Sequence, residues 1–306
     1  MKFIIDFQAQ RHWDWKVAFY LFGAGTSAGL IFLELVFRAF NLIDETTALR
    51  GMWVGLALAL LSLALLFAHL GPGARWGFLY VFRRPRTSWI ARGAIIVTVL
   101  VFLRILVLLP SLPWFQGLPW SEGTVGSAIL KGAVLVFAAA FMAYSGLVLS
   151  SWNSIAFWNT PLLPALYVSY SFLGGMAVLP VVMMISGDTA ILKVAGPVLW
   201  PNLLLLLIGN GLLLLLYLAG MSTGPLPARE SVTHLVRGKL RWIFWGGTVG
   251  IGLVVPTIIT ALAAGGMLMA DVVGPLLIAL SCLAVLVGAY VLRDNVLRVG
   301  IYGHPV

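Results

Sequence analysis

Eight apolar runs of membrane-spanning length, at about 17–40, 52–70, 89–109, 126–149, 162–186, 196–220, 242–265 and 272–292, leave this 306-residue chain few ways to fold. Each run has the roughly 20 residues that a helix needs to cross the hydrocarbon core. Helices and closed barrels are the only structures that satisfy their own backbone there. The runs lack the period-two alternation of barrel strands, so the expectation is an all-α integral membrane protein with eight transmembrane helices. Small-residue stretches such as GAGTSAG and FLGGMA suit close packing between helices. Charged residues make up 9% of the chain, against about 25% in a soluble domain.

The net charge of +9 does not point to nucleic acid, because the basic residues gather in short connections between the runs. Eight crossings place both termini on one side. Fourteen of the 19 lysines and arginines fall on that side, four (Arg38, Arg50, Lys131 and Lys193) on the other, and Arg104 lies inside a run. By the positive-inside rule the termini side is expected to be the cytoplasmic face of a prokaryotic cell membrane, the alternative being that the basic connections are held outside by a docked partner. Trp13, Trp15, Trp53, Trp89, Trp152, Trp158, Trp200 and Trp242 fall near run ends and read as an aromatic belt. Pro180 and Pro256 are expected to kink their helices.

Four histidines, His12, His69, His234 and His304, all lie outside the middle of a span, so no haem is expected. The lone Cys282 can hold neither a disulfide nor an iron–sulfur cluster and reads as core packing; no metal site is expected. No cleavable leader is evident ahead of the first run. On the termini side, polar groups gather: Gln8 and His12 before the first helix, His69 at the end of the second, Tyr144 near the end of the fourth, and Asn153 in the uncharged connection SSWNSIAFWNTP. Such donors and acceptors at an apolar mouth suit a quinone head group. They also suit plain interfacial anchoring, and the residues alone leave both readings open. Glu34 and Arg104 sit at similar depth, about 25 and 22 Å from their helix starts at 1.5 Å per residue. Ionisable groups that deep are expensive, and read as a buried ion pair or part of a proton path. Asp188 and Asp271 read as ordinary helix-end residues.

Three segments, HWDWKVAFYLFGAGTSAG, AHLGPGARWGFLYVFRRPRTSWIARGA and YSGLVLSSWNSIAFWNTPLLPALYVSYSFLGG, together resemble the NrfD/polysulfide reductase membrane-subunit family over roughly residues 8–180. The resemblance implies a single membrane domain of two four-helix bundles, residues 1–150 and 151–306. It implies a quinone-binding anchor (menaquinone or ubiquinone) of a molybdopterin oxidoreductase, with no haem and no iron–sulfur cluster in this chain. The implied partners are a ferredoxin-like iron–sulfur subunit and a molybdopterin catalytic subunit. It gives quinone contacts to Gln8, His12 and Tyr144, and His69 matches a histidine that closes the second helix. The candidate binding set is therefore Gln8, His12, Trp15, His69, Tyr144 and Asn153. Arg83, Arg84 and Arg86 lie on the same face and suit an acidic partner. A secondary transporter with two parallel four-helix repeats, or a passive anchor, are the competing readings. The transporter is disfavoured because its binding groups belong at the midplane, where Asn202 and Asn210 are the main polar residues.

Overall fold

A computed structural model describes residues 8–185, 189–268 and 273–303. Among these, eight helices are long and apolar enough to cross a membrane. They are α1 (Trp15–Ala39), α2 (Glu45–His69), α3 (Trp89–Leu108), α4 (Val125–Ser150), α5 (Leu162–Ile185), α6 (Thr189–Ser222), α7 (Ile243–Ala264) and α8 (Val273–Arg298). Asp188, Asp271 and His304 lie outside the described residues.

Helix ends follow capping chemistry that hydropathy does not see. Asp44 caps α2 by accepting from the backbone of Thr46 and Thr47, so α2 starts seven residues before its apolar run. Arg50, read from sequence as a loop residue, therefore lies in the second turn of a helix. α8 likewise runs past residue 292 to Arg298. Arg293, read as a tail charge on the termini side, is instead fully buried. In α7 the turns Ile243–Val254 are wide π turns that run directly into Pro256, whose missing N–H interrupts the ladder.

α1 is the central mast. Over its apolar window 83% of residues are buried, against 28% for α2, α3 and α6, whose outer faces suit lipid. α1 packs along α2, α4, α5 and α8; α3 packs on α4, α6 on α5, and α7 on α6 and α8. The small residues of the GAGTSAG run make this possible. A Cβ on Gly29 would stand 1.9 Å from the Ser171 carbonyl oxygen of α5, so only glycine allows that approach. Ser27 of α1 donates to the Gly55 carbonyl of α2 at 3.0 Å.

The terminal segments are tied together. Ala9 and Ile301 form an antiparallel bridge, and the Gln10 amide donates to the Gly300 carbonyl at 2.8 Å. Trp158 belongs to this knot, not to an aromatic belt: it is 1% exposed and donates to the Val296 carbonyl at 2.8 Å. Trp200 is also buried, which removes a second residue from the belt.

Candidate functional site

On the termini side, a cavity of about 450 Å³ opens among α1, α2, α3 and α4. Its walls are apolar: Val17, Leu21, Leu66, Ile90 and Val148 contribute. The connection after α2 coils into a 3-10 helix, Trp76–Arg83, and supplies Gly77, Phe78 and Val81. A second recess of about 370 Å³ shares Tyr20, Leu66, Phe78, Val81, Ile90 and Tyr144 with the first and reaches Thr98 of α3. The polar groups lining the larger cavity are Trp13, Tyr20, His69 and Tyr144.

Each polar group is held from behind. Asp14 caps α1, accepting from the Lys16 amide at 2.9 Å, and the same carboxylate oxygen stands 3.2 Å from His69 Nδ1. An acceptor on that side favours a proton on Nδ1 and leaves Nε2 as the other polar edge of the ring. Tyr144 is seated by Gly93, where a Cβ would lie 2.0 Å from its ring, and it stacks on Phe141 with centroids 6.2 Å apart. Its hydroxyl is close enough to that of Tyr20 to interact. Trp13 is braced by Trp152 and Trp158, with ring centroids at 5.7 and 5.5 Å. Gln10 fixes the Trp13 backbone through both ends of its amide, while Nε2 also reaches the Leu297 carbonyl at 2.9 Å.

The arrangement is a greasy slot with two tyrosine hydroxyls and a carboxylate-backed imidazole along its wall. Such a site accepts a flat apolar ring bearing oxygens and can move a proton at one of them.

Comparison with known proteins puts this geometry in context. Residues 6–302 match the family described as polysulphide reductase, NrfD. The chain belongs to the NrfD family. Within it, the chain is similar to Protein NrfD of Escherichia coli, 29% identical over 273 residues covering 81% of this chain and 83% of that protein. It is also similar to the C component of the polysulfide reductase of Wolinella succinogenes, 26% identical over 305 residues and 94% of each protein.

In this NrfD-family protein the residues singled out from sequence part company. His69 and Tyr144 line the cavity. Gln8, His12 and Asn153 are exposed and Trp15 is half exposed; none lines it. The Gln8 carbonyl accepts from the Tyr302 amide, and Asn153 accepts from Asn159 Nδ2 at 2.6 Å, so both hold surface connections together. Arg83, Arg84 and Arg86 are exposed beside the 3-10 helix over the cavity, with Arg83 stacked 4.1 Å from the Tyr80 ring centroid. Glu34 and Arg104 sit away from the cavity, wholly buried, with Arg104 Nη2 2.7 Å from Glu34 Oε1.

Sequence reasoning missed Trp13, Asp14, Tyr20 and Gly93. A signal existed for Asp14, since an acidic residue directly before a long apolar run is a capping pattern. Trp13, Val17, Tyr20 and Leu21 also follow the spacing of one helix face. Nothing local marks Gly93, whose role depends on the ring of another helix.

Proposed function

We propose that this protein is the quinone-reactive membrane anchor of a multi-subunit oxidoreductase. It exchanges electrons between the membrane quinone pool and an iron–sulfur subunit docked on the termini face, which serves a molybdopterin catalytic subunit. The observation that carries this reading is His69, backed by Asp14, in the wall of an apolar cavity, on the surface that also presents Arg83, Arg84 and Arg86. The name of the Wolinella relative, as the C component of a reductase, fits a subunit among several.

A quinone, menaquinone or ubiquinone, carries two electrons and two protons between its oxidised and reduced forms. During quinol oxidation His69 accepts the proton of one ring hydroxyl, with Asp14 stabilising the imidazolium that results, and the proton of the other hydroxyl passes to water at the cavity mouth. Tyr20 and Tyr144 hydrogen-bond to ring oxygen, and Trp13 packs against the ring or its tail. The arginines attract an acidic partner whose clusters take the two electrons. With Arg293 buried, thirteen of the nineteen basic residues of the sequence remain in segments assigned to the termini side, which supports reading that face as cytoplasmic.

The transporter reading finds little support at the midplane. Asn210 in mid-α6 donates to the Leu206 carbonyl at 2.7 Å and the Ser169 carbonyl at 3.4 Å, a helix-packing role.

The test is His69→Ala in the assembled complex. Quinol-coupled turnover should collapse, while dye-coupled activity of the docked subunits and their co-purification persist. Unchanged quinol kinetics would remove the cavity from the reaction.

A further inference from the structure

Among the described residues two arginines are wholly buried, Arg104 in α3 and Arg293 in α8, and the chain treats them differently. Arg104 has a carboxylate at 2.7 Å. Arg293 has no carboxylate within ion-pair distance among the described residues. Asp294, its neighbour in sequence, pairs at 2.7 Å with Arg298 instead. One nitrogen of Arg293, Nη1, donates to the Ala289 carbonyl of its own helix at 3.0 Å. Nε and Nη2 are buried without a hydrogen-bond partner. Arginine keeps its proton at any physiological pH, so the charge stays.

The guanidinium lies over the ring of Tyr167 in α5, with Cζ 5.2 Å from the ring centroid. A ring face offsets part of a positive charge, and less of it than a counter-ion does. Tyr170, on the same helix, is also close enough to interact with that charge. The hydroxyls of both tyrosines are buried and have no hydrogen-bond partner either. Two N–H edges and two phenols from facing helices thus gather without bonding one another, and all four can donate. α1 closes a third side. A Cβ on Gly25 would stand 3.0 Å from Arg293 Nη2 and 2.5 Å from Ser171 Oγ, so only glycine leaves that corner open. Ser171 itself is committed, donating to the Tyr167 carbonyl at 2.7 Å.

A buried polar group without a partner calls for a water or an ion. Water would satisfy the donors and leave the charge uncompensated, which in a low-dielectric interior is the larger penalty. A donor-only set around a cation selects an anion. The closeness of Gly25 limits the occupant to a single atom.

We propose that Arg293, Tyr167 and Tyr170 hold a small monovalent anion, chloride at ordinary salt, which is the counter-ion of Arg293 and clamps α8 to α5 beside α1. The inference does not depend on the quinone reading.

The test uses the full chain in detergent, exchanged from chloride into gluconate at constant ionic strength. Cys282 is the single cysteine and is buried, so a thiol-reactive fluorophore reports unfolding. The melting temperature should climb with the logarithm of chloride concentration above the dissociation constant, as mass action requires of a ligand bound to the folded state, and bromide should substitute. Arg293→Met should melt at a temperature independent of halide. Tyr170→Phe, which removes one donor and keeps the ring and the charge, should need more chloride for the same gain. In crystals of the wild-type chain grown in bromide, the anomalous signal should lie between the guanidinium and the two hydroxyls. A wild-type melting temperature equal in chloride and gluconate, the result that buried water alone would give, overturns the proposal. So does a chloride response in Arg293→Met equal to that of wild type, or the absence of bromide from the site. Should Arg293→Met fail to accumulate, an unaltered chloride response in Tyr170→Phe overturns it as well.

Discussion

A single oxygen of Asp14 both caps the first transmembrane helix and stands 3.2 Å from Nδ1 of His69, which ends the second. One carboxylate thus couples the start of α1 to the orientation of the imidazole in the cavity wall. The two duties can be separated by substitution.

Asp14→Asn should keep the cap, since asparagine caps as well as aspartate. It should replace the carboxylate oxygen that faces His69 Nδ1 at 3.2 Å by a neutral amide, and so loosen the hold on the ring. The expected outcome is near-unchanged thermal stability with quinol-coupled turnover reduced on the order of 10²-fold, the usual scale for a disturbed general base. Asp14→Ala should add a loss of about 1 kcal/mol in stability through the missing cap. Steady-state quinol kinetics beside a detergent-phase melting curve separates the two effects. Equal turnover in Asp14→Asn and wild type would deny the carboxylate its orienting role.

Gly93 makes room for Tyr144. A methyl group there would sit 2.0 Å from the phenol ring, so Gly93→Ala should displace Tyr144. Overpacking of this kind costs about 1–3 kcal/mol. Quinol-coupled activity should drop as far in Gly93→Ala as in Tyr144→Phe, and the double variant Gly93→Ala/Tyr144→Phe should be no worse than Gly93→Ala alone. Additive losses, measured as kcat/KM for the quinol, would show that the two residues act separately.

The Glu34–Arg104 pair gives a stability prediction of opposite signs. Glu34→Leu alone leaves a buried guanidinium without its counter-ion and should cost about 3–5 kcal/mol, seen as lost yield and a lower melting temperature in detergent. Replacing both, as Glu34→Leu with Arg104→Met, should restore most of that loss. A double variant as unstable as the single one would mean that the loss does not come from an unpaired buried guanidinium.

Asp44 gives a pH prediction on the opposite face. Burial tends to raise its carboxyl, but hydrogen bonds from the Thr46 side chain and the Thr47 backbone prevail and hold it below the ordinary aspartate range. A depressed value means that the contribution is complete above the unfolded aspartate value of about 4 and fades as pH falls through the folded one. Asp44→Ala should therefore be less stable than wild type near neutrality by about 1 kcal/mol. The gap should narrow on acidification below about pH 4. Melting curves across that range check it; a gap independent of pH would assign the cap to something other than the carboxylate.

Much of the architecture was legible in the amino-acid sequence. Eight apolar runs become eight spanning helices, because hydropathy averaged over a span reports the bilayer's demand on every residue in it. The family resemblance carried by three segments agrees with a match across residues 6–302. Glu34 and Arg104 could be matched from depth alone, because an isolated charge in hydrocarbon is costly enough to require a partner at its own level.

The sites were less legible, for a reason visible in particular residues. His12 and His69 look alike as interfacial histidines, yet of the two His69 lines the cavity and His12 is exposed. Trp15 and Trp158 both look like belt residues, yet one is half exposed and the other is sealed into the knot of the termini. Arg293 reads as a tail charge and is buried in α8. By itself, the sequence determined which segments must leave water, because that depends on composition along a single helix. Only the tertiary structure decided which polar residue at a helix end looks into a cavity. That depends on the rotation of each helix about its axis and on how closely glycines such as Gly29 and Gly93 let the neighbouring helix approach.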